Sequence, residues 1–377
     1  MDADDFNAVR DAVRVLVRDQ VMPREQEIED ADAVPADIRA RAVDMGLFGY
    51  TVPPEYGGLG LSTYEDALIT FEFGYTTPAF RSMFSTNNGI AGQVLVNFGT
   101  EQQKQEWLPR LVAGTVSCFA LTEAEAGSDP SGLTTRAKRD GDEYVLSGAK
   151  RFITNAPLAD VFMVFARSTG ADGADGISVF AVPAGTPGLT VGPPDKKMGQ
   201  IGAQTSEVFL DDVRVPLTAL IGGEEGKGFG AAMRSLVKGR LNISAVCVGA
   251  AQRLLDESIA HARNTRQGGT PIGEFQLVQA MLAESKAELD AARAMVLAAA
   301  LRFDSGEDTR IGPSAAKLFC SEMVGRAADR AVQIHGGLGY MRGVPVERFY
   351  RDVRLFRIYE GTSEIQKLII GRALIKG

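Results

Sequence analysis

Thr135-Arg136-Ala137-Lys138, Glu143-Tyr144-Val145-Leu146 and Arg151-Phe152-Ile153-Thr154 are short runs rich in β-favouring residues, separated by the turn-forming pairs Gly141-Asp142 and Ser147-Gly148. Two further runs follow, Val161 to Arg167 and Ile177 to Val182, and strands also fit Leu189 to Val191 and Glu207 to Leu210. The pattern predicts an antiparallel sheet domain and not an alternation of strand and helix.

On either side of this region the period changes. Phe6, Val9, Val13, Leu16 and Val17 recur at helical spacing. A loop rich in Pro and Gly, Val52 to Gly60, interrupts the pattern, and a helix should run from Thr63 toward Phe73. Gly99 ends a helix and Thr100 starts the next, with Gln103 completing a capping box and Gly114 stopping it. After Gly230 the stretches Met233 to Ala262, Gln276 to Asp304 and Ser314 to His335 are long and rich in Ala and Leu, as in helices that pack as a bundle. The expected fold class is therefore an α+β multidomain protein. It has an N-terminal helical domain (1–116), a middle antiparallel β-sheet domain (117–225) and a C-terminal four-helix bundle (226–377).

The chain has 377 residues, 45% of them hydrophobic and 23% charged, enough for two or three domains with sizeable cores. A net charge of −8 argues against nucleic acid as a partner, because phosphate binding needs clustered Lys and Arg. Cys118, Cys247 and Cys320 are far apart and odd in number, so each is expected to fill core space. His261 and His335 lack a nearby ligand set, and no metal site is expected. No stretch approaches the ~20 apolar residues of a membrane span. The acidic Met1-Asp2-Ala3-Asp4-Asp5 start lacks a signal pattern, so the expected location is the cytoplasm.

Near the C-terminus, Phe356-Arg357-Ile358-Tyr359-Glu360-Gly361-Thr362-Ser363-Glu364-Ile365-Gln366 sets one carboxylate, Glu360, on a short loop ahead of a new helix. Ser363 and Gln366 are spaced for a capping box, and Gly361 leaves one side of Glu360 open to a ligand. A carboxylate fixed in this way can serve as a base; taken alone it can equally be a solvated surface Glu. Gly226-Lys227-Gly228-Phe229-Gly230-Ala231 fits a dinucleotide fingerprint, but no parallel βαβ unit surrounds it, so it reads as the entry into the bundle. No GxSxG, HExxH or P-loop pattern occurs.

Three further segments carry a family likeness: Cys118-Phe119-Ala120-Leu121-Thr122-Glu123-Ala124-Glu125-Ala126-Gly127-Ser128-Asp129, then Lys150-Arg151-Phe152-Ile153-Thr154-Asn155, then Gln333-Ile334-His335-Gly336-Gly337-Leu338-Gly339-Tyr340 through Arg351-Asp352 to the Glu360 loop. In order and spacing, over essentially the whole chain, they resemble the acyl-CoA dehydrogenases. The loop Glu55-Tyr56-Gly57-Gly58 and the strand end at Asp211 to Pro216 belong to the same likeness.

The resemblance implies FAD as cofactor, an acyl-CoA substrate oxidised to the trans-2-enoyl-CoA, a homotetramer, and an electron-transferring flavoprotein as electron acceptor. It implies that Glu360 is the base that removes the α-proton. Some members carry the base on the first bundle helix instead; the matching position here is Gly239, which cannot be one. Phe119, Leu121 and Thr122 would line the flavin ring on one side, with Phe152 and Thr154 on the other. Gly127 and Ser128 would meet the CoA pyrophosphate region or FAD. Gln333, Gly336 and Gly337 would hold the adenosine end of FAD from a neighbouring subunit. Thr362 and Glu364 would add FAD contacts. Gly239 and Gly361 would border the substrate, and Arg240 and Arg372 are candidates for its CoA side.

The chain departs from the family pattern in several places. Phe152 stands where Trp is frequent, and Val237 where a polar residue often helps to hold CoA. Thr265 and Gly268 stand where Arg and Phe commonly touch the partner's FAD. Arg263 or Arg266 could supply the missing cation, and Gln276 keeps the family's type. Two alternatives stay open: a same-fold acyl-CoA oxidase or acyl-carrier-protein dehydrogenase, and a non-catalytic helical scaffold that has lost FAD.

Overall fold

The structure, a computed structural model, describes residues 1–376. Seven helices come first: α1 (Ala3–Val15), α2 (Glu25–Ala31), α3 (Ala36–Asp44), α4 (Thr63–Phe73), α5 (Pro78–Ser85), α6 (Ala91–Phe98) and α7 (Glu101–Val112). The strands β1 (Ser117–Ala120), β2 (Arg136–Asp140), β3 (Glu143–Thr154), β4 (Val161–Arg167), β5 (Ile177–Pro183), β6 (Leu189–Val191) and β7 (Thr205–Pro216) follow. Then come α8 (Gly228–Asn264), a small hairpin of β8 (Arg266–Gln267) and β9 (Thr270–Pro271), and the helices α9 (Gln276–Asp304), α10 (Ile311–His335), α11 (Pro345–Val353) and α12 (Ser363–Lys376).

The capping box at Thr100 and Gln103 forms as expected, and a second one, Ser62 with Glu65, starts α4. The three cysteines are all free and buried. α8, α9 and α10 pack around an apolar core that includes Leu241, Val246, Leu254, Val296 and Met323. Among the described residues no helix is long and apolar enough to cross a membrane.

The sheet runs β1-β4-β2-β3-β7-β6, with β5 added against β4. Most of its pairs are antiparallel, but β1 lies parallel to β4, in register from Ser117 with Val161 to Ala120 with Val164, and β2 meets β4 in parallel at Arg136 with Arg167. The segments 143–146 and 151–154 are one strand, not two. Ser147-Gly148 is not a turn but a bulge, where pairing with β7 slips between Leu146 and Gly148. Gly148 takes φ +151, and a Cβ there would sit 2.6–2.9 Å from Thr135. A second slip, between Lys150 and Ile153, brackets Phe152.

The sheet is locked to the bundle at Met198 to Gly202. Gln200, at φ +52, donates its backbone N–H to the buried Asp352 carboxylate of α11, and its side chain donates to the Asp352 carbonyl. Burial pushes the Asp352 carboxyl up to about 7, against the pull of Arg351 and Arg348. The folded protein thus binds a proton between pH ~4 and ~7 that the unfolded chain does not hold. Stability from this group is therefore full below the unfolded pKa and is lost as pH rises through about 7. The expected slope is at most about 1.4 kcal/mol per pH unit. Asp352→Asn should flatten this slope in unfolding curves taken from pH 5 to pH 8; parallel curves for the two proteins would refute the assignment.

Candidate active site

Glu360 occupies a tight loop between Phe356 and α12. It is left-handed at φ +55, and Gly361 follows at φ +88. Two consecutive positive φ values, one on a residue with a Cβ, mark a strained turn that its surroundings must hold in place. Among the described residues the Glu360 N–H has no hydrogen-bond partner. Its Oε2 is sealed from solvent and takes no hydrogen bond from the described residues, although the residue as a whole keeps some exposure.

Burial raises the Glu360 pKa, while the charges of Arg81, Lys317 and Arg240 pull it down. Raised basicity with no hydrogen-bond partner is what a base waiting for a substrate proton requires. Gly239 lies directly opposite on α8: a Cβ built there would stand 2.2 Å from Glu360 Oε2 and 3.2 Å from Ile90. Glycine at 239 therefore makes room for the carboxylate.

The expected capping box at Ser363 and Gln366 does not form. The α12 N-terminus is capped one residue earlier, by Thr362 Oγ1 accepting from the Ile365 N–H at 3.3 Å. Ser363 instead donates to Glu322 at 2.6 Å. Gln366 turns back to donate to the carbonyls of Glu360 (3.2 Å) and Gly361 (3.0 Å). It also fills the side that Gly361 was expected to leave open, since a Cβ at 361 would meet Gln366 Nε2 at 2.6 Å. Gly361 is needed for its backbone angle.

Arg240 is buried beside Glu360, and among the described residues its Nε has no hydrogen-bond partner. Arg372 is exposed well along α12 and is not brought to this site. The sequence reading missed Arg81 and Lys317, the other two cations around Glu360. Each sits in an ordinary helical run, and only packing reveals that it is buried.

A second group of residues lies where β1 leaves the sheet. Leu121 is buried, and Phe119, Thr122 and Thr154 are half-buried. The Arg151 N–H donates to the Thr122 carbonyl at 2.9 Å. Phe152 sits at φ +58 with 61% of its surface exposed and the Arg151 guanidinium 4.9 Å from its ring centre. The bulge throws this ring outward, so it is not part of the sheet core. The left-handed backbone is strained, and the exposed ring offers a face on which a flat ligand can stack. Gly127 and Ser128 follow the Glu123–Ala126 bridge directly, in an exposed loop.

Behind this group is a buried ion pair. Lys150 Nζ lies 2.8 Å from Glu123 Oε1 and also donates to the Leu121 carbonyl. Glu123 accepts four further hydrogen bonds from the backbone N–H and hydroxyl groups of Thr134 and Thr135. These bonds and Lys150 bring Glu123 down to about 2 despite its burial, while burial pushes the Lys150 ammonium down.

The remaining candidates gather at the other end of α10. His335, the last residue of α10, stacks on His261 of α8 with ring centres 4.1 Å apart. Ile334 packs with Ala262 and Ile272, which brings the flanking Gln333, Gly336 and Gly337 to the end of the bundle that carries the β8–β9 hairpin. Gly336 and Gly337 are exposed, with nothing within 4 Å of a Cβ at either. Gly268 and Gly269 form the two-residue hairpin turn at φ +58 and +83, which explains why a bulky residue is absent at 268. Arg266 is exposed and donates to the Gly269 carbonyl. Gln276 is exposed at the start of α9. His335 is about 27 Å along α10 from Lys317, which touches the Glu360 loop. One chain thus carries these two sites well apart.

Profiles of the acyl-CoA dehydrogenase N-terminal domain, middle domain and C-terminal domain match residues 3–115, 118–213 and 226–375. The chain is 42% identical over 370 residues to the probable acyl-CoA dehydrogenase YngJ of Bacillus subtilis, covering 98% of this chain and 97% of that protein. It is 38% identical to the caffeyl-CoA reductase-Etf complex subunit CarC of Acetobacterium woodii, covering 93% and 92%. The solved structure of butyryl-CoA dehydrogenase from Megasphaera elsdenii superposes with TM-score 0.95 at 33% identity and full coverage of both chains. That of the prolyl acyl carrier protein oxidase AnaB gives 0.94 at 32% identity, covering 99% of each. The open aromatic at Phe152, the uncovered Gly336-Gly337 turn and the unpartnered Glu360 carboxylate suit a flat dinucleotide cofactor. The chain belongs to the acyl-CoA dehydrogenase family and is an FAD-dependent oxidoreductase.

Proposed function

We propose that the protein dehydrogenates an acyl-CoA thioester to the trans-2-enoyl-CoA, with Glu360 as the base. The observation that carries this reading is the buried Glu360 Oε2 without a hydrogen-bond partner, facing Gly239. Glu360 Oε2 accepts the α-proton. The free Glu360 N–H donates to the thioester oxygen as negative charge develops there. Bound FAD supplies the two-electron acceptor for the β-hydride. Leu121, Thr122, Phe119, Phe152 and Thr154 would hold its ring, and Thr362 and Glu364 would add contacts to it. Gln333, Gly336, Gly337, Arg266 and Gln276 would hold the adenosine end of a neighbouring subunit's FAD. The separation of the two sites along α10 and the exposed Leu277, Leu338, Tyr340 and Met341 around the second one support a homotetramer. An electron-transferring flavoprotein takes the electrons, in keeping with the likeness to CarC.

Anaerobic bleaching of the flavin by a panel of acyl-CoAs tests the reading; a coloured holoenzyme that no thioester bleaches would sink it. A second reading is favoured by the likeness to AnaB: an oxidase, or an enzyme acting on a carrier-protein thioester. Hydrogen peroxide release in air supports the first form, and turnover confined to carrier-bound acyl groups supports the second.

Gly239→Ala should slow flavin reduction about 10²-fold, because the new methyl displaces the carboxylate by an ångström or more. The fold should be unaffected, since the displaced atom is the end of a flexible side chain. Rapid-mixing rates and thermal unfolding measured on one preparation check this; an unchanged rate would show that the carboxylate need not sit against α8.

A further inference from the structure

Lys150 and Lys317 are both sealed from solvent, but their charges are compensated differently. Lys150 meets the Glu123 carboxylate. Lys317, on the inner face of α10, forms no ion pair among the described residues, and its Nζ donates only to the Gly361 carbonyl, at 2.7 Å. The titratable groups facing it are Glu360 from the loop, Cys247 and Arg240 from α8, and Glu322 from its own helix. Cys247 is a buried thiol whose pKa is pushed up, so it stays neutral. Glu322 is already taken by Arg357 and the Ser363 hydroxyl. Glu360 is left as the anion without a partner.

An ammonium group buried without a carboxylate is costly, and a methionine would fill similar space without that cost. A role that needs both the charge and the donor accounts for a lysine here. The loop it touches needs holding: Glu360 and Gly361 are both left-handed, and their carbonyls are gripped by Gln366 and Lys317 from one side. Arg81 and Arg240 also face Glu360, as does the neutral Tyr359, but neither arginine bonds the loop. Arg81 spends its Nε and Nη2 on Asn242.

We propose that Lys317 is a positioning residue for the base, clamping the Gly361 carbonyl so that Glu360 keeps its left-handed conformation, and adding its own buried positive charge to those of Arg81 and Arg240 beside the carboxylate. The proposal rests on the reading of Glu360 as the base. The loss of water when a substrate closes the site makes the charge count for more.

Lys317→Met removes donor and charge; Lys317→Gln keeps a donor without the charge. Both are compared with the wild-type holoenzyme by single-turnover flavin reduction across pH and by hydrogen exchange of the 356–366 segment. Lys317→Met should reduce the rate about 10–10²-fold and speed exchange of the loop. Lys317→Gln should restore slow exchange. In both, the pH at which the rate reaches half its maximum should move up by about one unit. A purely structural lysine would lower stability and leave that pH in place, and superimposable pH profiles overturn the proposal. If Lys317→Met does not fold, the Lys317→Gln profile decides alone. Should Glu360→Gln prove fully active, the base reading fails separately, and unchanged loop exchange in the Lys317 variants then overturns the clamp.

Discussion

Glu360→Gln is expected to yield a yellow, folded holoenzyme that binds acyl-CoA but reduces its flavin about 10²–10⁴-fold more slowly than wild type. The amide has the shape of the carboxylate, so the loop, held through main-chain carbonyls by Lys317 and Gln366, has no reason to move. It lacks a lone pair basic enough to take the α-proton. In the wild-type enzyme the rate should fall as pH drops through the raised Glu360 pKa, because the protonated carboxyl cannot accept a second proton. That limb of the profile should be missing from the residual activity of the variant. Rapid-mixing absorbance of the flavin after addition of acyl-CoA measures both effects. Near-normal bleaching would remove Glu360 from the chemistry.

Lys150→Met is expected to cost about 3–5 kcal/mol, because it strands the buried Glu123 carboxylate. The four hydrogen bonds from Thr134 and Thr135 remain and place the loss toward the lower end of that range. The damage should not be confined to stability. Lys150 also holds the Leu121 carbonyl, and Arg151 holds that of Thr122, so both walls proposed for the flavin depend on this stretch of β3. FAD should therefore leave the variant before the chain unfolds. Thermal unfolding followed in parallel by far-UV circular dichroism and flavin fluorescence reads the order of the two events. Adding Glu123→Gln should recover part of the loss by removing the stranded charge. A single variant as stable as wild type would mean that solvent reaches Glu123 and that the pair is not a buried one.

The helices of the bundle were legible because their sequence pattern and their packing agree. The Gln276–Asp304 helix has the limits its periodicity predicts. The capping box at Thr100 and Gln103 is a local pattern with a local cause and was equally readable. Ser363 and Gln366 have the same spacing but form no box. Each has a stronger partner from elsewhere in the chain or loop, Glu322 for one and the Glu360 and Gly361 carbonyls for the other. Ser147-Gly148 looked like a turn because glycine marks both turns and bulges, and only pairing with β7, some sixty residues later, tells them apart.

The sequence by itself determined the division into helices, sheet and bundle, the family, and the identity of Glu360 as the carboxylate to watch, since these rest on residue order and short-range pattern. Only the tertiary structure decided what surrounds that carboxylate. It put Gly239 against Oε2, buried Arg240 instead of leaving it on the surface, brought Arg81 and Lys317 in from distant helices, and turned Phe152 outward. Burial and charge proximity depend on which faces meet across hundreds of residues, and a pKa follows from those distances. The family resemblance singled out Glu360, and the packing of α5, α8 and α10 around it supplies the setting a base requires.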